Sequence, residues 1–416
     1  MKNGRAGKMM LAAVCIIVLT ALLASGCGSK QATGQPIKIG AVLSTTGPNA
    51  PLGTSEQKAL TLLQTQLNAN GGVNGRPVNF IIVDDASDST KAASAMSDLI
   101  KQQDVVAVIG SSGTGTTMPM VDIADQAMVP LEACAAGIKV TQADPASPPH
   151  PYVFRTPPTD LMAAQTVFDF LKNTLKVNKV AILYDSNAFG TSGNDVLKTL
   201  LPPAGIQIVS DQSYETKATD MTPQLNNIKA TDAQAVVVWG TNPGPATIAK
   251  DMKQLGMDMP LVNSHGVANK TYIELAGDAS NGVYLPAGRM LVPSSIPAGP
   301  WKDVVDKFIA DFSKEYGTNP DTFAGHGWDA GNIIVNALKV SGVDRTKLRA
   351  QIENTKNYAG VDGIFNYSAK DHNGLNKNDL IMVRIVNGNW ETLSVAGTAK
   401  TPNSAPSSST SSSSTK

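Results

Sequence analysis

Val105-Val-Ala-Val-Ile-Gly110-Ser-Ser-Gly-Thr-Gly-Thr-Thr117 decides the fold of this 416-residue chain. A short run of β-branched residues enters a turn of Gly, Ser and Thr, and a helical pattern from Val121 to Ala127 follows. Its apolar residues run on without alternating with polar ones. That pattern marks a parallel strand covered on both faces, and the turn marks the start of a crossover helix.

The same strand, turn and helix unit recurs in both directions. Upstream, Ile37-Lys-Ile-Gly-Ala-Val-Leu43 leads through Ser44-Thr-Thr-Gly-Pro48 into a helix carrying Ala59, Leu60, Leu62, Leu63 and Leu67. Val78 to Asp84 is a strand, and Asp88 is the candidate N-cap of a helix to Ile100. Downstream the rhythm restarts. Strands at Lys179–Asp185, Ile206–Asp211 and Ala235–Gly240 alternate with helices at Gly193–Leu201, Thr222–Ala230 and Ala246–Leu255. Two such blocks predict two doubly wound, Rossmann-like α/β lobes. Long helical patterns at Trp301–Tyr316 and Gly327–Val340 follow, then a hairpin about Val386-Asn-Gly-Asn-Trp390. These leftover elements imply that the chain crosses between lobes more than once, near Pro157, Tyr284 and Tyr358, as a three-strand hinge. The expected division is 37–157 with 284–358 for lobe 1, and 158–283 with 359–397 for lobe 2.

The ends read differently. Lys2, Arg5 and Lys8 precede an apolar run from Met9 to Ala24, as in an export signal over residues 1–26. Leu23-Ala24-Ser25-Gly26-Cys27 resembles a lipobox, with Leu one place further from Cys27 than the usual pattern has it. An ordinary secreted protein with a chance Cys, or an uncleaved single-span anchor, are the alternatives. Residues 27–36 read as a flexible tether, and 398–416, almost all Ser, Thr, Pro and Asn, as a tail with nothing to bury. Basic and acidic residues balance at 34 each, which leaves no basic patch for nucleic acid. Cys134 is the one thiol left after the signal and Cys27, so no internal disulfide is expected. The four His, at 150, 265, 326 and 372, lack metal-ligand spacing.

Ligands of open parallel sheets bind beyond the carboxyl ends of the strands. There the chain places Ser44–Pro48, Ser111–Thr117, Glu132–Gly137, Ser186–Gly190, Gly240-Thr-Asn-Pro and Asn263–Gly266. Gly110 to Thr117 is the richest. Backbone N–H groups at a helix start, with the hydroxyls of Ser112, Thr114 and Thr116, suit a carboxylate. It is no P-loop, because Thr116 stands where Lys is required. Trp239 offers either a stacking surface or buried core. His326 and Trp328 read as structural residues at a helix start, and Cys134 as an inert buried thiol.

Val105–Pro130, Ser44–Gly53, Tyr152-Val-Phe-Arg-Thr156, Lys179–Gly190 and Gly360-Val-Asp-Gly-Ile-Phe365 resemble, in the same order, segments of the Leu/Ile/Val-binding proteins of the type I periplasmic-binding fold. The resemblance covers nearly all of the chain after the signal. It implies an extracytoplasmic, lipid-anchored, monomeric receptor that closes on a small-molecule ligand and docks on ABC permease subunits, with no cofactor and no metal. It implies a carboxylate site at Thr114, a second contact loop at Ala135 to Gly137, and a pocket wall at Leu52. Gly137 replaces a residue that often carries a hydroxyl, and Phe189 replaces a frequent Tyr. Where amino-acid binders have an acid for the ammonium group, this chain has His265, which supplies no fixed negative charge. The ligand is therefore a neutral or branched-chain amino acid, or a small organic or aromatic acid without an amine. Two other functions remain in view. One is a sensor domain. The other is an enzyme, for which Glu132 and His265 would be the acid/base pair.

Overall fold

The computed structural model describes residues 32, 34–144 and 146–393. The signal peptide expected over residues 1–26, Cys27 and the 398–416 tail lie outside the described residues. Strands β1 (Ile37–Leu43), β2 (Val78–Asp84), β3 (Val108–Gly110), β4 (Leu131–Ala133) and β5 (Val153–Arg155) form one parallel sheet in the order β2-β1-β3-β4-β5. Helices α1 (Ala50–Ala69), α2 (Ser89–Lys101) and α3 (Thr114–Ala127) connect β1 through β4. After β5, α4 (Asp160–Asp169) opens the second lobe. There β6 (Lys179–Asp185), α5 (Ala188–Leu200), β7 (Gln207–Tyr214), α6 (Thr222–Lys229), β8 (Ala235–Trp239), α7 (Gly244–Gln254), β9 (Leu261–Asn263), α8 (Lys270–Ala276) and β10 (Tyr284–Gly288) repeat the pattern. The chain then runs through α9 (Pro300–Tyr316), α10 (Thr322–Ser341), α11 (Arg345–Glu353) and the short pair β11 (Tyr358–Ala359) and β12 (Ile364–Phe365). It ends in the hairpin β13 (Leu380–Val386) and β14 (Asn389–Thr392). The second sheet has the order β14-β13-β10-β9-β8-β6-β7.

The continuous apolar runs have the burial their composition predicts. All five residues of β8 are buried, with one core on each face of its sheet. The first sheet is likewise covered by α1 and α10 on one face and by α2 and α3 on the other. Each fully buried Val, Ile or Leu contributes about 1.5–3 kcal/mol. Asp88 caps α2 as expected, its carboxylate accepting from the N–H groups of Thr90 and Lys91.

Two expected crossings are displaced. β10 pairs with β9 and with β13, so the chain is still in the second sheet at Tyr284 and leaves it only after Gly288. Phe365, Tyr367 and Leu375 pack in the core of the first lobe, so the return lies between Leu375 and Leu380 rather than at Tyr358. The reason is pairing. β10 alone links the terminal hairpin to the parallel part of its sheet, and the Tyr367 hydroxyl donates to the Arg155 carbonyl of β5 at 2.7 Å.

Candidate functional site

Each sheet reverses its direction of growth once, between β1 and β3 in the first lobe and between β6 and β8 in the second. Loops diverge at such switch points and leave a crevice. The two crevices face one another across a cavity of about 370 Å³. The first lobe contributes Leu52, Ser112 to Thr116, Cys134, Ala136, Phe323 and His326, and the second contributes Asn187, Phe189, Thr216, Lys217, Thr241, His265 and Gly266.

The loop before α3 is fixed from behind. Asp85 takes hydrogen bonds from the hydroxyls of Ser44 at 2.7 Å and Ser111 at 2.5 Å. Thr117 Oγ1 donates to the carbonyls of Ser111 and Gly113. Thr116 Oγ1 is tied to Ser111 Oγ and the Gly113 carbonyl, so Thr116 shapes the loop as well as lining the cavity. Gly113 caps α3 with no side-chain bond, and the first-turn N–H groups of a helix have no intrahelical acceptor. These groups and the hydroxyl of Thr114 give the opening of α3 the donors of a candidate anion cradle.

Around the cradle the lining is apolar or neutral apart from Lys217, with no Asp or Glu among the lining residues. His265 is buried at 6% exposure, and burial, then His326 and Arg155, push its imidazole down to about 3. It is therefore a neutral ring, and neither nitrogen has a partner among the described residues. Its edge meets Phe189 at 5.4 Å and Trp239 at 5.9 Å between centroids. From the first lobe, His326 Nδ1 lies 2.6 Å from Asp362 Oδ2, with both side chains buried. That pairing leaves Nε2 as the atom His326 offers to the cavity. Burial pushes the Cys134 thiol up, which keeps it protonated and inert.

Six of the nine expected ligand residues, Leu52, Ser112, Thr114, Thr116, Phe189 and His265, line the cavity. The other three do not. Trp239 is fully buried behind Phe189 and donates from Nε1 to Asp160 Oδ1 at 3.2 Å. Ala135 is core, and its neighbour Ala136 takes the place on the wall. Gly137 faces a separate groove with Ile138 and Lys139, and reaches the cradle only through its N–H on Thr114 Oγ1 at 3.2 Å. A Cβ at Gly137 would stand 2.3 Å from Thr114 Cγ2, so Thr114 already fills the space a side chain would need there. Arg155 braces this stretch, donating to the carbonyls of Ala136, Gly137 and Ile138 and to Thr141 Oγ1 at 2.7–3.1 Å.

Phe323 and His326 were not expected here. The helix was read from Gly327, but Asp321 caps it five residues earlier by accepting from the Ala324 N–H. Both residues thus sit in the first turns of α10, facing the ligand space. Asp321 followed by Thr322 was the available signal. Glu132 does not pair with His265. It is fully buried and meets the Tyr367 hydroxyl. No group of three or more His, Cys, Asp or Glu side chains suited to a metal occurs among the described residues.

The comparisons with known proteins agree with this architecture. Residues 36–389 match the family model described as periplasmic binding protein. The chain is 25% identical, over 78% of its length and 84% of the relative's, to a leucine-, isoleucine-, valine-, threonine- and alanine-binding protein of Pseudomonas aeruginosa. An extracellular ligand-binding receptor from Rhodopseudomonas palustris superposes with a TM-score of 0.80 at 26% identity, covering 86% of this chain and 99% of the receptor. A solute-binding protein of an ABC transporter from R. palustris, solved in complex with benzoate, gives 0.75 at 25% identity, with 86% and 95% covered. With two doubly wound lobes facing one cavity, this chain belongs to the periplasmic binding protein family and has its type I fold.

Proposed function

We propose that this protein is the lipid-anchored solute receptor of an ABC uptake transporter, and that its ligand is a small carboxylate with an apolar or aromatic body and no ammonium group. One observation carries the ligand class. The cavity wall holds no carboxylate, and the ring that occupies the family's ammonium position, His265, is neutral. An ammonium buried against such a wall would lose its hydration without a counter-charge, which costs several kcal/mol. Phe189, Phe323 and Leu52 supply the apolar body of the site, and the start of α3 supplies the anion cradle. The benzoate complex of the R. palustris relative supports the same class. The relative from P. aeruginosa supports the competing one, a branched-chain amino acid.

Ligand held by the first lobe would be buried when the second closes on it, and the closed form would dock on the permease. A diacyl anchor at Cys27 on the 27–36 tether keeps the lobes near the membrane and free to move. Mass spectrometry of the membrane-extracted protein checks the anchor, since an unmodified Cys27 would exclude it.

Thermal unfolding of the purified protein against benzoate, aliphatic carboxylates, leucine, isoleucine and valine tests the ligand class. A ligand present at about 100 times its dissociation constant stabilises the fold by about 2.7 kcal/mol. The expected result is stabilisation by amine-free carboxylates and little by the amino acids. The reverse order would refute the proposed class in favour of amino-acid capture.

A further inference from the structure

Glu56 lies on α1, fully buried, directly behind the cradle. Its Oε2 is 2.5 Å from Ser112 Oγ, and its Oε1 has no partner among the described residues. Ser112 Oγ also accepts the Ser44 N–H at 3.0 Å, and Ser112 lines the cavity. A hydroxyl has one proton and two lone pairs. With one lone pair taken by Ser44, the Glu56 contact decides where the Ser112 proton goes. A charged Glu56 accepts that proton. A neutral Glu56 donates its own proton to the second lone pair and leaves the Ser112 O–H free to turn into the cavity.

We propose that Glu56 is a positioning residue for the ligand carboxylate: in its neutral form it aims the Ser112 hydroxyl at the ligand, and in its charged form it withdraws that donor and sets a negative charge behind the cradle. The inference rests on the carboxylate reading above and holds for amine-free acids and amino acids alike.

The groups facing Glu56 favour its neutral form. Asp85, after β2, and Asp321, at the start of α10, both oppose a charge on it. α10 also brings the backbone-tight contact at Gly327, with His326 one residue earlier committed to Asp362. Cys134, at the end of β4, is the remaining ionisable group that senses it. Burial, the largest influence, pushes the Glu56 carboxyl up to about 8, against the lowering contact from Ser112. The neutral form therefore dominates at neutral pH and gives way above it. Asp160, pushed up to about 7 by burial, is another buried acid that titrates nearby, but it faces Ser192 and Trp239 rather than the cradle.

The test is benzoate binding to the purified protein by calorimetry at two pH values, with leucine as a second carboxylate probe. Benzoate stays ionised throughout and has no other titrating group, so its own charge is constant and the ratio is read from it; leucine, whose ammonium begins to titrate toward pH 9, serves as a probe at pH 7. The expected dissociation constant is about tenfold weaker at pH 9 than at pH 7. In Glu56→Gln, whose amide donates to Ser112 at every pH, the ratio between the two pH values should fall to within about twofold of one. Ser112→Ala removes the donor and should lower the ratio to the part that the Glu56 charge alone contributes, and it carries the test if the Gln variant does not fold. Equal affinity at both pH values in the wild type, or an undiminished ratio in both variants, overturns the proposal while leaving the carboxylate reading intact. Failure of both probes to bind at pH 7 removes the carboxylate reading and this inference together.

Discussion

Gly137→Ala tests whether the second contact loop acts through Thr114 rather than by touching ligand. The added Cβ would lie 2.3 Å from Thr114 Cγ2, 2.9 Å from its Oγ1 and 3.2 Å from its Cβ. Ordinary carbon contacts are about 3.5–4.0 Å, so Thr114 must recede by about 1 Å or rotate. Either movement breaks the 3.2 Å bond from the Gly137 N–H, worth about 1 kcal/mol. Overpacking of this kind costs about 1–3 kcal/mol, so a net destabilisation of about 2–3 kcal/mol is expected. Thr114 heads α3, so the same movement displaces the hydroxyl from the cradle. A shift of that size should weaken carboxylate binding by about tenfold, or about 1.4 kcal/mol. Thr114→Ser removes the worst contact, Cγ2, and keeps the hydroxyl. A double-mutant cycle read by thermal unfolding and calorimetry should therefore show a favourable coupling of about 1 kcal/mol. Additive effects in the cycle, or wild-type affinity in Gly137→Ala, would refute the reasoning.

Arg155→Met should destabilise the protein by about 3–5 kcal/mol, because it strips a buried cation from three carbonyls and a hydroxyl in the 136–141 stretch. Denaturant unfolding checks this, and a loss below about 1 kcal/mol would show that the stretch stands without its brace. The pH dependence of stability has a defined sign. Glu56 and Asp160 are pushed up to about 8 and about 7, so the folded state holds their protons more tightly than the unfolded state. Their contribution is complete below the unfolded values near 4 and is lost as pH rises through the folded ones. Between about pH 6.5 and pH 8 these two acids alone should lower the unfolding free energy by about 2–3 kcal/mol at 1.36 kcal/mol per proton and pH unit, and Glu132 and Asp329, also pushed up by burial, act in the same direction. His265 and His372, both pushed down by burial, act with the opposite sign and only below about 6.5, the ordinary histidine value, so they leave this window clear. Unchanged melting across it would contradict the placement of both acids.

Much of the site could be read from local sequence because strand ends in a doubly wound sheet necessarily face its crevice. That rule found Ser112 and Thr114 and the loops that hold Phe189 and His265, and the family resemblance singled out those two residues within their loops. Trp239 stayed open between a stacking surface and buried core because strand position fixes which end a residue occupies, not whether a neighbouring side chain covers it. Here Phe189 covers it, and the indole fits only because Gly193 has no Cβ. Gly137 was misread because the room beside it depends on Thr114, 23 residues earlier in the chain. Phe323 and His326 were missed because the start of α10 was read one turn late.

The sequence by itself determined what short-range chemistry controls. Apolar runs of strand length and Gly/Ser/Thr turns at their carboxyl ends specify two doubly wound lobes, and a helix start rich in hydroxyls supplies the donors of the proposed anion cradle. Only the tertiary structure decided what depends on contacts between distant segments. It settled which strand joins the terminal hairpin to the second sheet, which lobe receives Phe365 and Tyr367, and that His265 and His326 face one cavity from opposite lobes. It also decided that Glu56, 56 residues from Ser112, stands behind the cradle. Burial sets the protonation of Glu56 and His265, and burial is a property of everything packed around a group. No local stretch of sequence contains it.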